Sequence, residues 1–249
     1  MSNPNDFDEL ICRYIMKGTL RNTTQLHIGT GRSATEFATV DDPLIRLSIG
    51  MDEVPYIPGS SLKGILRTEI EKYLKGLGEN ICFPYDHKSS CNSGDIKDIC
   101  LACQIFGCQQ IGSHFVVSDA ILLDTKDYPN PGTKIKPGIA INRVTGSTQR
   151  GALFQVETLQ PGGVFNFEFQ ILNIDLKEDS IKKKAIKFAL YQLKEGWIQV
   201  GGKRSTGLGQ IKFNEKNGKL DVTVTEIRPE YLEDLKFAEK NLEDFLGEI

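Results

Sequence analysis

The nine residues Gly201-Gly202-Lys203-Arg204-Ser205-Thr206-Gly207-Leu208-Gly209 hold four glycines, two bases and two hydroxyls. Glycines let a backbone approach a ligand closely and turn its N–H groups toward an anion. Lys203 and Arg204 add charge, and Ser205 and Thr206 add donors, so the chemistry on offer is phosphate binding. A Walker A loop is excluded, because it needs Ser or Thr directly after its Gly-Lys pair and here Arg204 follows Lys203. A tight hairpin turn with exposed bases has the same composition. Pro58-Gly59-Ser60-Ser61-Leu62-Lys63-Gly64 is a second anion candidate, since a helix N-terminus carries free N–H groups and about half a positive charge. Ser60, Ser61, Lys63 and Arg67 fall on the polar side of that helix, where ordinary capping on a solvated face reads alike.

Five of the six cysteines crowd between positions 82 and 108. Cys100-x-x-Cys103 can give two thiolates to one tetrahedral zinc, and Cys82 and Cys91 can complete the set. Four sulfurs would close the site, which makes it structural. The polar residues between them have no core to hold them, and a bound ion would supply the missing energy. His87 and Cys108 are substitute ligands. Reduced thiols in a flexible insert remain the alternative. A redox pair is disfavoured, because such pairs usually open a helix after a strand.

These groups need elements to position them. Leu62, Ile65, Leu66, Ile70, Tyr73 and Leu74 recur at helical spacing, with Ser60 or Ser61 as N-cap and Gly76 and Gly78 at the end. Ile181 to Leu193 repeats the pattern, capped by Asp179 or Ser180 and ended by Gly196. Phe165, Phe167, Phe169 and Ile171 alternate as a half-buried strand. Residues 10 to 28 read as two strands around turns at Lys17-Gly18 and Arg21-Asn22-Thr23, and residues 31 to 56 as a polar stretch. Short strands cover 115–123, 197–200 and 210–213. Residues 125 to 150 read as a protruding loop or hairpin arm, and the tail from Pro229 as a surface helix. The order strand, helix, strands, helix, strand predicts an α+β fold with a ferredoxin-like βαββαβ core carrying large insertions.

Apolar residues make up 39% and charged residues 25% of the 249, a globular composition. No apolar run approaches the ~18 residues of a membrane span. The polar, acidic start is unlike a secretory signal, so the expected compartment is the cytoplasm, with no membrane contact. Net charge is −3. From Glu226 onward eight acids face three bases, so the tail carries −5 and residues 1–225 carry +2. Any polyanion site must therefore be a local cluster.

The string Tyr56-Ile57-Pro58-Gly59-Ser60-Ser61-Leu62-Lys63-Gly64-Ile65-Leu66-Arg67 resembles the first-helix motif of the RAMP superfamily, and Gly201 to Gly209 resembles its C-terminal glycine-rich signature. Cys100-x-x-Cys103-x-x-Phe106-Gly107, Ser118-Asp119-Ala120 and Asn142-Arg143-Val144-Thr145-Gly146, running on to Phe154 and Glu157, also match. Over residues 10 to 213 the chain is similar to the repeated backbone subunit, the Cas-seven group, of type III CRISPR–Cas effector complexes.

The resemblance implies one RAMP domain over 1–249, with a Cys-rich zinc insert at 78–114, a thumb insertion at 125–157 and an acidic C-terminal helix at 226–249. It implies stacking of copies or paralogues along a CRISPR RNA. Ser60, Ser61, Lys63, Arg67, Lys203, Arg204, Ser205 and Thr206 would then touch the guide. The thumb hairpin, over 142–157, would wedge into the guide–target duplex, with Arg143, Gln149 and Arg150 on RNA. Base pairing, not protein, would read the target. Asp41, in Val40-Asp41-Asp42-Pro43, takes the place of the family's nuclease carboxylate, implying target-RNA cleavage at six-nucleotide intervals with Mg²⁺ and structural zinc elsewhere. Asp42 is the neighbouring candidate, and both could be plain loop carboxylates. A non-catalytic RNA-binding backbone subunit and a stand-alone guide-processing endonuclease are the alternatives. His27 reads as a satisfied strand histidine.

Overall fold

The computed structural model describes residues 7–31, 40–86, 90–91, 98–232 and 237–249. It is a mixed α+β structure in which the paired strands run antiparallel. Strand β1 (Arg13–Asn22) passes straight through Lys17-Gly18, which the sequence predicts as a turn. Gly18 is there for another reason. A Cβ at this position would stand 2.2 Å from the Asp221 carbonyl oxygen of a neighbouring segment. A close approach of backbones, not a reversal, selects the glycine.

The stretch read only as polar contains a hairpin, β2 (Arg46–Ile49) and β3 (Asp52–Ile57). Helix α1 (Gly59–Gly76) follows and buries Leu62, Leu66, Ile70 and Leu74 along the predicted stripe. Neither Ser60 nor Ser61 is its N-cap. Pro58 holds that position, and the Asp119 carboxylate accepts the Gly59 N–H at 2.7 Å. The cysteine-rich insert leads through the short helix α2 (Leu101–Phe106) into β4 (Phe115–Val117) and β5 (Ala120–Ile121).

A long hairpin, β6 (Thr133–Ile141) and β7 (Thr148–Leu159), projects next. Its tip closes on Asn142, whose side-chain oxygen accepts the N–H groups of Val144 and Thr145. Strand β8 (Val164–Leu172) buries Phe165, Phe167, Phe169 and Ile171, as the alternation predicts. Helix α3 (Ile181–Lys194) is capped by the Ser180 hydroxyl, which accepts from Lys183.

Strand β9 (Ile198–Gln199) enters the glycine-rich loop, whose centre is a 3₁₀ turn at Arg204–Thr206, and β10 (Gln210–Phe213) leaves it. Then come β11 (Glu215–Lys216), β12 (Lys219–Leu220), β13 (Val222–Ile227), α4 (Pro229–Leu232), β14 (Ala238–Asn241) and α5 (Leu242–Glu248). The tail is thus not one surface helix. Strand β14 extends the sheet beside β13, and Leu242, Phe245 and Leu246 of α5 are buried in the core.

The main sheet centres on β1. One of its edges carries β8, with β4 beyond; the other is shared by β13 along Arg13–Gly18 and β10 along Leu20–Asn22. Helices α1 and α3 pack on each other, with Tyr73 stacked on Phe188 at 4.7 Å. Their apolar faces join Met16, Leu20 and Phe169 in one core. Among the described residues no helix is long and apolar enough to cross a membrane.

Candidate nucleic-acid interface and cleavage site

The glycine-rich loop has positive φ at Gly201, Lys203, Gly207 and Gly209. Two of these glycines are obligatory. A Cβ would stand 2.1 Å from the His27 carbonyl oxygen at Gly201 and 2.0 Å from that of Val200 at Gly209. Several amides are spent on the loop itself and its support: Gly202 donates to His27, Thr206 to Lys203, Gly207 to Arg204 and Gly209 to Gln25. What the loop presents outward is side chains. Lys203, Arg204, Ser205 and Thr206 are all exposed. Among the described residues neither Lys203 nor Arg204 has a carboxylate partner.

The loop divides two clefts. On one side Arg204 and Ser205, with Trp197 and Gln199, face Ile65, Glu69 and Lys72 of α1 across a polar cleft of about 630 Å³. On the other, Lys203, Thr206 and Leu208 face Pro137, Phe154 and Val156 at the hairpin root across a smaller apolar one of about 240 Å³. There the Lys203 ammonium lies 4.5 Å from the centre of the Phe154 ring, a cation–π contact.

The start of α1 is organised differently. Ser60 is exposed and Ser61 half-buried, but the first amides already have acceptors in Asp119 and the Pro58 carbonyl. Lys63 donates to the Ser113 hydroxyl at 2.8 Å, and burial, with the charge of Arg67 beside it, lowers its pKa. Arg67 bonds Glu71 at 2.7 Å, the Gly107 carbonyl at 3.2 Å and the Cys103 sulfur at 3.2 Å. The sequence places Lys63 and Arg67 with the loop's cations. The structure turns both toward the cysteine insert, and α1 meets the loop through Ile65, Glu69 and Lys72 instead. Residues two apart on a helix lie on nearly opposite flanks, which separates Lys63 from Ile65.

Asp41 and Asp42 form a strap across β7. The Asp42 N–H donates to the Gln155 carbonyl at 3.1 Å, and the Glu157 N–H returns to the Asp42 carbonyl at 3.0 Å. Asp41 is exposed, and one of its oxygens accepts the Gln155 N–H at 2.7 Å. Asp42 points the other way, 3.0 Å from Nε2 of His27, whose Nδ1 lies 2.7 Å from the Glu157 carbonyl oxygen. His27 is buried and bonded at both nitrogens, a satisfied histidine as expected, but it lies outside any strand, between the isolated bridges at Leu26 and Gly29. The Glu157 carboxylate accepts from Leu44 N–H at 3.1 Å and pairs with the Arg46 guanidinium. Burial alone would raise that carboxyl; the Arg46 and Leu44 hydrogen bonds outweigh it and hold the group below the usual carboxylate range. Neither Arg46 nor Glu157 is assigned a role by the sequence. Their spacing across more than a hundred residues gives no local signal.

Cys82, Cys91, Cys100 and Cys103 bring their sulfurs within 4.8 Å of one another, with no disulfide among the described residues. Tetrahedral Zn–S bonds of about 2.3 Å put sulfurs roughly 3.8 Å apart, so the cluster has the size for an ion. Cys82 and Cys103 lie 3.5 Å apart. A hydrogen bond from Cys103 draws the Cys100 thiol down to about 4, while burial pushes Cys91 up to about 11. Cys108 is a neighbour, its sulfur 3.7 Å from the Cys91 carbonyl oxygen, and His87 lies outside the described residues. On the hairpin, Arg143 and Gln149 are exposed at the tip, and Gln149 accepts from the Asn142 amide. Arg150 falls within β7, but its side chain lies outside the described residues.

The structure thus joins an antiparallel α+β sheet to an exposed cationic loop, a projecting hairpin and a carboxylate strap at the hairpin root. The chain belongs to the RAMP superfamily, whose sequence model matches residues 19–212. It is 30% identical over 215 residues to the "CRISPR system Cms endoribonuclease Csm3" of Methanocaldococcus jannaschii, covering 82% of this chain and 79% of that protein. The Mycobacterium tuberculosis protein of the same name is 28% identical over 224 residues, covering 82% and 88%. A chain from the crystal structure of the Csm3–Csm4 subcomplex in the type III-A CRISPR–Cas interference complex shares the fold, with TM-score 0.54, 21% identity and coverage of 97% and 98%.

Proposed function

We propose that this chain is a backbone subunit of a cytoplasmic type III CRISPR RNA-guided complex and cleaves complementary target RNA at six-nucleotide intervals. One observation carries the reading. Consecutive residues of β7 touch the exposed carboxylate of Asp41, through the Gln155 amide, and the Lys203 cation of the glycine-rich loop, through the Phe154 ring. A strand gripped by Lys203, Arg204, Ser205 and Thr206 would pass that carboxylate, and Arg143, Gln149 and Arg150 on the hairpin would meet the same RNA. Ser61, one turn before Ile65, shares the loop-facing side of α1 and Ser60 is exposed at the helix start, whereas Lys63 and Arg67 serve the insert.

The strand order β4-β8-β1-β10, with α1 and α3 as crossovers, supports a ferredoxin-like βαββαβ core. On that reading 1–249 is one domain, and the cysteine loop at 78–114 and the thumb at 125–157 are insertions into it. The four sulfurs fit structural zinc. Asp41 fits Mg²⁺, since one oxygen is bonded to Gln155 and the other remains to share an ion that keeps most of its waters. When bound, the ion would neutralise charge developing at the scissile phosphate during attack by the neighbouring 2′-hydroxyl. The chain's own part is to hold that phosphate and ribose in line.

A binding-only subunit is the second reading, favoured by the hydrogen bond that gives Asp41 a structural use. Asp41→Ala in the reconstituted complex separates the two. We expect the regularly spaced cuts to fall by about a hundredfold or more with target affinity retained. Cuts persisting at the parent rate would leave the binding-only reading.

A further inference from the structure

Asp42 and His27 form a polar pair beneath the strap, with the imidazole buried and the carboxylate partly exposed. In an extended segment successive side chains face opposite ways. Asp42 turned toward His27 therefore sends Asp41 to the opposite side, where it is exposed. Three glycines make the inward space. A Cβ at Gly29 would stand 2.5 Å from Oδ1 of Asp42 and 3.2 Å from Nε2 of His27. At Gly202 it would stand 3.3 Å from the His27 ring, and at Gly201 it would strike the His27 carbonyl oxygen. The His27 backbone accepts the Gly202 N–H at 2.8 Å, so this residue supports the glycine-rich loop with its main chain and the strap with its ring.

We infer that His27 and Asp42 form a positioning link that fixes the Asp41 strap to the underside of the glycine-rich loop, setting the attitude of the Asp41 carboxylate toward the strand held above. This rests on the reading of Asp41 as the cleaving carboxylate. Asp42 is then not the metal ligand, because its carboxylate is held on the imidazole and faces away from that of Asp41. Its partners on the ring are both acceptors, the Glu157 carbonyl and the Asp42 carboxylate. Asparagine at position 42 can keep both contacts: its amide donates to Nε2 while Nδ1–H donates to Glu157. Alanine keeps neither the reach nor the donor.

The test is single-turnover cleavage by the assembled complex, with target affinity and zinc content measured on the same preparations. Asp42→Ala should cut about ten- to a hundredfold more slowly with target affinity within about twofold. Asp42→Asn should recover most of the rate. If Asp42→Ala does not assemble, His27→Asn, which keeps a donor for Glu157 but falls short of Asp42, should show the same slow cutting. Cutting at the parent rate overturns the link. Equal slowing in the Ala and Asn variants also overturns it, by assigning Asp42 to the chemistry itself. A loss of affinity in step with rate reduces the pair to fold maintenance. Asp41→Ala is run alongside: if that variant still cuts, the functional reading fails, whatever Asp42 does.

Discussion

The glycine-rich loop and the start of α1 look alike in sequence, each combining glycines with two hydroxyls and two bases, and they end in opposite conditions. Lys203 and Arg204 stand in solvent, without carboxylate partners among the described residues. Lys63 and Arg67 are half-buried and committed to Ser113, Glu71, Gly107 and Cys103. A base binds a polyanion only if no better partner already holds it, and composition does not report partners. On the proposed reading the first cation pair faces RNA; the second is the brace that joins the main helix to the cysteine insert.

The sharpest way to break this contrast is to remove the insert's ion. Purified under reducing, chelator-free conditions, the protein should carry about one zinc per chain. Cys100→Ser should lose it and lower the thermal midpoint by about 5–10 °C. Metal content near zero in the parent would refute the zinc site, and Arg67 would then brace an insert held by packing alone.

Salt dependence reads the two pairs directly. For single-stranded RNA, each phosphate a protein no longer neutralises lowers the log–log salt slope by about 0.7. Lys203→Ala and Arg204→Ala should each show that drop with a labelled single-stranded RNA. Lys63→Ala and Arg67→Ala should leave the slope unchanged while lowering the thermal midpoint. Equal slopes for all four variants would erase the distinction between gripping and bracing.

Local signals are legible in the sequence and distant ones are not. The stripe of α1, the Ser180 cap, the alternation of β8 and the four clustered cysteines all lie within short windows, where periodicity or spacing speaks. Gly18 misleads because glycine marks both a turn and a close strand approach, and only the Asp221 carbonyl decides between them. The N-cap misleads because the capping carboxylate comes from Asp119, sixty residues on. Leu242, Phe245 and Leu246 are hidden by the acidic residues around them, so a tail that completes the core looks like a surface helix. For the site, the loop and Asp41 are reached through the family resemblance, but the Glu157–Arg46 and His27–Asp42 ties exist only once β7 lies across the strap.

The smallest effect concerns paired charge far from the loop. Arg228 bonds Asp175 at 2.8 Å and Glu226 at 2.6 Å, and Lys177 reaches Glu226 at 2.6 Å. Burial alone would raise both carboxyls. The Lys177 amide and the Arg228 guanidinium outweigh it at Asp175, and the Lys177 and Arg228 side chains do so at Glu226, so each sits below its ordinary value, 3.8 and 4.5 respectively. A carboxyl depressed on folding contributes stability that is complete above its unfolded value and lost as pH falls below it. The acid limb of a melting curve should therefore steepen below about pH 4.5. Glu226→Gln removes one of these contributions, so its midpoint should lie below the parent's at neutral pH and the gap should narrow by about 3 °C on acidification. Lys203→Ala, which breaks no ion pair, should run parallel to the parent throughout. A narrowing gap for Lys203→Ala as well would mean that the loop's cation has a carboxylate partner in solution, and the contrast between free and committed charge would fail at the loop itself.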